Sequence, residues 1–289
     1  IDIIEAQAVD MKNAYEILSS EREPFGSCSC ITKGRSSHCT TFAYSNPEVP
    51  EYGVHDISRI GSSKTKLAEL IDSSILSIYD VPEDFPLSEK QQNQVIAAQT
   101  NKIIIKKEAI KNFLDNIDSP ISFLDYETFA AGIPRFTGYS PFNQITFQFS
   151  LHVVTDYDKE PTHSDFIFTE KGNPDEEFIL ALKKQLPQKG SIIAWHKSFE
   201  VGRNKDLARR NPKYKKFIDE INLRFIDLED VFTNQYFIHP KFKGKTSIKY
   251  ILPVLAPDLS YKVLDIQEGG TASNTWNQIV TSGYSKKEA

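Results

Sequence analysis

Three acidic side chains follow two apolar segments that the sequence predicts to be neighbouring strands. Asp125 and Glu127 lie at the end of the segment 121–126, and Glu200 comes shortly after the segment 191–195. Side chains at positions i and i+2 of a strand point to the same face, so Asp125 and Glu127 should project together. Two such carboxylates repel each other unless a cation lies between them, and their oxygens suit Mg²⁺ or Mn²⁺. The alternative is a strand end that carries two solvated acids.

Glu200 is predicted to lie in the first turn of a helix that begins behind a buried strand. Ser198 is the expected N-cap of that helix. In open α/β sheets, ligands bind beyond the carboxyl ends of the strands, which would place Glu200 beside the other two acids. An acid in a first helical turn also complements the helix dipole, and this is the structural alternative.

Strands and helices alternate after Ser119-Pro120, where we expect a domain boundary. Apolar and polar residues alternate along residues 145–153, which predicts a half-buried strand. The predicted elements, in chain order, are strands at 121–126, 145–153 and 166–168, a helix at 174–186, a strand at 191–195, a helix at 199–210, a strand at 224–226, and helices at 228–237 and from Ser247 to an interruption at Pro253. This is the element order of a ribonuclease-H-like fold. The expected class is therefore α/β with a mixed sheet (α+β).

The chain before this domain is predicted to contain two further regions. Residues 1–60 are largely irregular and contain a cysteine-rich segment, although residues 1–20 should form a helix. Residues 61–118 form a helical linker region, with helices at 91–98 and 107–114.

Composition describes a globular protein with no bilayer-spanning segment. The chain has 289 residues, of which 39% are hydrophobic and 25% charged, and no apolar run reaches the ~18 residues that a span needs. The net charge of -5 excludes a generally basic surface but allows a local basic stripe around an acidic centre. Because the first residue is Ile1 and no signal peptide follows, we interpret the chain as a fragment of a longer protein.

Three cysteines occur close together in the first region. Cys28, Cys30 and Cys39 are the only cysteines of the chain, and an odd, tight group favours a metal or cluster site over a disulfide framework. A cytoplasmic location would follow. Four ligands are normally needed, and His38 could complete a zinc site. Three thiols without a ligand are the alternative.

Several basic and aromatic side chains are candidates for nucleic-acid binding. These candidates are Lys197, Lys243, Lys245, Lys249 and Tyr139. The lysines around Gly244 precede a helix N-terminus and could hold phosphates, while Tyr139 could stack on a base. A solvated lysine loop and an aromatic ring packed over the sheet are the alternatives.

The acidic motifs resemble those of the DEDD superfamily of 3′–5′ exonucleases. Asp125 and Glu127 match its first motif, and Glu200 takes the place of the Asp in its second. No copy of its third motif is found, and Asp227, at a predicted strand end, is the candidate for a further acid. The resemblance implies hydrolysis of phosphodiester bonds in DNA or RNA by a two-metal mechanism with Mg²⁺ or Mn²⁺.

A longer resemblance, over about residues 121–279, is to a bacterial family of unknown function that is usually fused downstream of a RecB-type nuclease domain. Its motifs here are Phe123-Leu-Asp-Tyr-Glu-Thr-Phe129, Phe147-Gln148-Phe149-Ser150, Phe199-Glu200, Asp227-Leu228, Ser247-Ile248-Lys249, Leu252-Pro253 and Leu259-Ser260-Tyr261. The resemblance implies an N-terminal nuclease domain as partner and a 4Fe-4S cluster completed by an upstream cysteine. It also implies that domain 119–289 lacks a last acidic motif, so that this fragment would be a poor nuclease. The alternative is a catalytically degenerate nucleic-acid-binding or scaffolding module.

Overall fold

The computed structural model describes residues 2–20, 26, 28–156, 158–259 and 269–282. The chain forms two compact units, Ile1–Ile103 and Ile104–Ala289. The division falls ahead of the boundary predicted at Ser119-Pro120, because a short strand and a helix before that point belong with the second unit. Among the described residues, no helix is long and apolar enough to cross a membrane. The predicted motif residues Ser260 and Tyr261 lie outside the described residues.

The first unit is mostly helical. Its helices are α1 (Asp2–Leu18), α2 (Phe42–Ser45), α3 (Lys64–Asp72) and α4 (Glu89–Thr100). Its core consists of aliphatic side chains, among them Val54, Ile57, Ile60, Leu67, Leu70, Ile78 and Val95. The buried Gln94 side chain in α4 connects this core to the preceding loop, because its amide donates to the Asp56 carbonyl at 3.0 Å and its oxygen accepts from the Ser58 N–H at 2.8 Å.

The second unit is built on a mixed five-stranded sheet. Its elements are β1 (Ile104–Ile105), α5 (Lys107–Leu114), β2 (Ile121–Ala130), β3 (Gln144–Val154), β4 (Thr162–Ile167), α6 (Asp175–Gln185), β5 (Ile192–Ala194), α7 (Ser198–Arg210), α8 (Lys215–Asn222), β6 (Phe225–Asp227), α9 (Asp230–Thr233), β7 (Phe237–Ile238), α10 (Ile248–Leu255) and α11 (Gly269–Ser282). The strands lie in the order β4-β3-β2-β5-β6, and β1 pairs separately with β7. β2, β3 and β4 are antiparallel neighbours, whereas β5 and β6 run parallel to β2. The predicted mixed α/β class is therefore confirmed.

Different helices cover different parts of the sheet. Tyr126 of β2 and Phe149 of β3 belong to an apolar cluster with side chains of α6, α7 and α8. Phe129 and Ile145 belong instead to a cluster that contains Trp276 of α11. Because odd and even residues of a regular strand point to opposite faces, Tyr126 and Phe129 lie on opposite faces of β2.

An extra residue in β3 explains why Phe149 and Ile145, which are both odd-numbered, lie in clusters on opposite faces. Glu127 lies opposite Gln148, but the next residue of β2, Thr128, lies opposite Thr146, so Phe147 has no partner in β2. Such a bulge moves the side chains that follow it to the other face of the sheet. The regular alternation along β3 predicted one buried face, whereas the structure divides its apolar side chains between two clusters.

Three helices near the end of the chain differ from the prediction. The helix expected over 228–237 is only α9, because Gln235 adopts a left-handed φ of 55° and residues 237–238 pair with β1. α10 continues through Pro253 instead of being interrupted there. α11 was not predicted, because its Gly-, Ser-, Thr- and Asn-rich segment has low helix propensity.

Candidate functional site

Asp125 and Glu127 lie on the same side of β2, just past Ser122 and Phe123, which pair with β5. Asp125 is exposed and Glu127 is half-buried. Desolvation raises the pKa of Asp125. Desolvation and the nearby charge of Asp125 raise the pKa of Glu127. The Asp125 carboxylate therefore lies close enough to disfavour the ionised form of Glu127.

Glu200 is the most enclosed of these acids. It lies in the first turn of α7, its exposed fraction is 2%, and its Oε2 atom has no hydrogen-bond partner among the described residues. Burial raises the pKa of Glu200 to about 7, and the charges of Asp125 and Asp227 act in the same direction. The charge of Asp125 thus acts on both Glu127 and Glu200.

Asp227 holds the turn between β5 and α7. Its carboxylate accepts the backbone N–H groups of His196 and Lys197, both at 2.9 Å, and that of Glu229 at 3.1 Å. Ser198, the predicted N-cap of α7, makes no such bond and is instead the first residue of the helix. The prediction of Ser198 as the cap is therefore wrong, because a carboxylate from the neighbouring strand β6 satisfies these amide donors.

His196 was not singled out from the sequence. It is the second residue after β5, has a left-handed φ of 66°, and its Nδ1 atom lies 2.8 Å from Oε2 of Glu229. Its charge lowers the pKa of Glu200, which places the imidazole near that carboxylate. The available signal was its position, since a titratable residue follows a buried strand at the carboxyl edge of a sheet.

An open cleft of about 440 Å³ lies beside Glu127. Its lining includes Gln144 of β3, Phe199 of α7, and Gly269 and Asn274 of α11. A Cβ atom at Gly269 would lie 3.3 Å from Oε2 of Glu127, so glycine allows this close approach of α11. Because α11 was not predicted, its part of the cleft was not predicted either.

Two predicted nucleic-acid contacts are engaged within the fold. The Lys197 ammonium donates to the Phe225 carbonyl at 3.2 Å. The Tyr139 ring is buried, and its hydroxyl donates to Oδ1 of Asp175 at 2.6 Å. Neither side chain is free to approach a ligand in this conformation.

The three predicted lysines after β7 lie around the start of α10. Lys245 donates to the Tyr250 hydroxyl at 3.0 Å, and its ammonium lies 4.1 Å from the centre of that ring. Lys243 has a left-handed φ of 50°, and Lys249 is exposed.

The three cysteines of the first unit meet in space. One Sγ atom from each of Cys28, Cys30 and Cys39 lies within 4.8 Å of the other two. The buried Asn46 side chain donates to Sγ of Cys28 at 3.4 Å, and the Thr41 hydroxyl lies 3.3 Å from Sγ of Cys39.

His38 is not part of that group. Its Nε2 atom lies 2.8 Å from the Lys33 carbonyl, and its ring stacks on Phe42 with the centroids 3.5 Å apart. The predicted completion of the site by His38 would therefore need a movement of this ring.

The fold and the site describe an α/β domain with acids at the carboxyl edge of its parallel strands. Residues 122–247 match a protein family described as "Domain of unknown function (DUF2779)", so the chain contains a DUF2779 domain. Asp125, Glu127, Glu200 and Asp227 fall within the matched residues, whereas the cysteines and α11 fall outside them. Neither a curated protein nor a solved structure matches the chain.

Proposed function

We propose that the DUF2779 domain of this chain is a metal-dependent nuclease that hydrolyses phosphodiester bonds in DNA or RNA, as a 3′–5′ exonuclease of the DEDD type. Asp125, Glu127 and Glu200 would hold Mg²⁺ or Mn²⁺. The observation that carries the proposal is the buried Oε2 atom of Glu200, which lacks a partner among the described residues. An unpaired buried carboxylate is costly, and a divalent cation would compensate it.

The donor chemistry fits these ions. All three side chains offer carboxylate oxygens, which Mg²⁺ and Mn²⁺ prefer over nitrogen or sulfur ligands. Among the described residues, no three acidic groups bring one oxygen each within 4.8 Å of one another. A two-ion site does not require this, because its ligands are spread over ions about 3.5–4 Å apart. Bound there, the ions would lower the pKa of the attacking water and stabilise the in-line transition state.

The topology also supports the proposal. β2, β5 and β6 are adjacent and parallel. Glu200 follows β5, Asp227 ends β6, and Asp125 of β2 lies two residues after Phe123, which pairs with β5. Ligands of open α/β sheets bind at this edge. The strand order, with two antiparallel strands beside the parallel ones, agrees with the ribonuclease-H-like arrangement that the sequence resembles.

Asp227 and the cleft beside Glu127 would have distinct roles in this proposal. Asp227, which was a candidate catalytic acid, serves in this proposal to hold the β5–α7 turn that carries Glu200. The cleft beside Glu127 would receive the end of a nucleic-acid strand.

The test is digestion of end-labelled single strands of DNA and RNA by the protein in Mn²⁺. Asp125→Asn and Glu200→Gln should each lower the rate by ~10²-fold or more, which is typical for the loss of one transition-state stabiliser. Glu177→Gln, at an exposed acid on α6, is the matched control and should keep the wild-type rate. Strand binding without release of nucleotides in Mg²⁺ or Mn²⁺ would instead favour a catalytically degenerate binding or scaffolding module.

We also propose that Cys28, Cys30 and Cys39 bind a metal, either as part of a 4Fe-4S cluster or as zinc ligands, with a fourth ligand from outside this group. Their convergence within 4.8 Å supports it, because thiolates are the usual ligands of both. Protein purified without oxygen should contain iron and sulfide, or zinc, and Cys30→Ser should lose it while Ser29→Ala keeps it. A colourless protein with neither metal would contradict the proposal.

The cellular setting is a further part of the proposal. None of the three cysteines forms a disulfide, which supports a reducing, cytoplasmic location. The resemblance to RecB-linked proteins supports an N-terminal nuclease domain as partner.

A further inference from the structure

We propose that His196 and Glu229 form a catalytic dyad at this site, in which the His196 imidazole takes the proton from the attacking water. This inference rests on the proposed nuclease function. It names a proton acceptor at the turn between β5 and α7, where the sequence motifs assign none.

The geometry fixes which nitrogen is available. Nδ1 of His196 lies 2.8 Å from Oε2 of Glu229. An ionised carboxylate can only accept a hydrogen bond, so Nδ1 carries the proton in this pair. In the neutral imidazole the lone pair is then on Nε2, and the side chain as a whole is 66% exposed. His196 therefore presents a basic nitrogen toward solvent.

The carboxylate of the dyad is held in place from its other oxygen. The Thr246 hydroxyl donates to Oε1 of Glu229 at 2.5 Å, and the Trp195 indole donates to the Thr246 carbonyl at 3.1 Å. The Glu229 side chain is only 13% exposed. A base oriented by a carboxylate that is itself anchored is the usual arrangement for proton transfer in enzymes.

Fold stability gives no reason for a histidine at this position. His196 has a left-handed φ of 66°, which glycine adopts at a lower cost than a residue with a side chain. Exposed ion pairs contribute little to folding, and most of this imidazole is exposed. Asp227 contacts the backbone N–H of His196 and not its side chain, so any residue except proline could make that bond.

His196 also lies in the turn that leads to Glu200, four residues before it, and a protonated imidazole there would lower the pKa of Glu200. In the reaction, the water oxygen bonds to phosphorus while the P–O3′ bond breaks. One water proton passes to Nε2 of His196, and the leaving O3′ takes a proton from solvent. The imidazolium then returns its proton to solvent, which restores the dyad.

The experiment compares wild type, His196→Asn and Glu229→Gln in digestion of single strands with Mn²⁺. His196→Asn should lower kcat by ~10²–10⁴-fold, the usual contribution of general acid–base catalysis. Glu229→Gln should lower it by ~10–100-fold, because it disturbs only the orientation of the base. KM, the melting temperature and the Mn²⁺ affinity should stay unchanged for His196→Asn, since asparagine tolerates the left-handed backbone.

Lys213→Gln is the matched control, because Lys213 is another exposed partner of a carboxylate, that of Glu176 in α6, and lies beyond the far end of α7. It should keep the wild-type kcat. Wild-type activity that His196→Asn leaves intact would overturn the dyad while the nuclease proposal stands. A His196→Asn protein that loses Mn²⁺ affinity instead of kcat would also overturn it. A wild-type protein that neither cleaves the strands nor binds Mn²⁺ would overturn both proposals.

Discussion

Two carboxylates of the second unit are almost equally buried, yet their surroundings are opposite. Asp175 is 1% exposed and Glu200 is 2% exposed. Arg210 binds Asp175 through Nε at 2.7 Å and Nη2 at 3.1 Å, and the Tyr139 hydroxyl and the Asn211 amide donate to the same group. The fold itself thus supplies every partner that Asp175 needs.

Glu200 has the reverse arrangement. One of its oxygens lacks a partner among the described residues, and Asp125 and Asp227 add negative charge nearby. A buried acid that is paired with a basic side chain is already compensated within the fold. A buried acid whose neighbours are other acids would instead be stabilised by a cation bound from solution. The comparison therefore separates a structural carboxylate from a candidate ligand, although burial alone does not.

The largest expected effect comes from breaking the compensated site. Arg210→Met leaves the Asp175 carboxylate buried without its cation, which should lower the free energy of unfolding by about 3–5 kcal/mol. Denaturant titration measures it. Arg209→Met, at the exposed neighbour on α7, is the control and should change stability by less than about 1 kcal/mol. Equal, small losses for both variants would mean that Asp175 does not depend on Arg210.

Replacing Glu200 should stabilise the metal-free protein, in contrast to replacing Arg210. The pKa of Glu200 is raised from 4.5 to about 7 in the folded state, so the folded protein holds this proton more tightly than the unfolded chain. The corresponding stability is fully present below pH 4.5 and is lost as the pH rises through 7. Glu200→Gln should therefore raise the unfolding free energy of the metal-free protein at pH 8 by up to about 3 kcal/mol.

That gain should vanish at pH 4, where both proteins carry a neutral side chain at position 200. Urea titrations at pH 4, 6 and 8 give the comparison, with Glu177→Gln as the control for loss of an exposed acid. If Glu200→Gln destabilises the protein at pH 8, the Glu200 carboxylate has a partner after all.

A bound divalent cation should stabilise wild type more than it stabilises Glu200→Gln. At a Mn²⁺ concentration of 100 times its Kd, wild type should gain about 2.7 kcal/mol, because the ion binds only the folded state. Glu200→Gln should gain much less, while Arg210→Met should respond like wild type. Thermal unfolding with and without Mn²⁺ measures the difference. An identical gain in wild type and Glu200→Gln would place the bound ion elsewhere.

The smallest effect sharpens the description of the compensated site. Tyr139→Phe removes one hydrogen bond to a buried charged group and should cost about 2 kcal/mol. Its Mn²⁺-dependent gain in stability should equal that of wild type. A loss of nuclease activity in this variant, with little change in stability, would return Tyr139 to the nucleic-acid contacts that the sequence predicted.

The sequence is enough to predict some features of the acidic site but not others. The i, i+2 spacing is enough to place Asp125 and Glu127 on one side of β2, since that follows from strand geometry alone. The absence of a partner for Oε2 of Glu200 among the described residues cannot be predicted from the sequence. It depends on which side chains surround the start of α7 in the fold. The same reason explains why Asp227, and not Ser198, satisfies the amides before α7. The contacts are between β6 and β5, far apart along the chain.

The unpaired Phe147 of β3 has a consequence for comparing relatives of this domain. A relative without the extra residue would keep Ile145 opposite Phe129 and on the same face, because the bulge adds a residue to β3 without changing the pairing on either side of it. Alignments of the family should thus place their gaps here. If the gap is placed one position away, an apolar position that packs toward Trp276 would be aligned with a polar one. That position would then look variable.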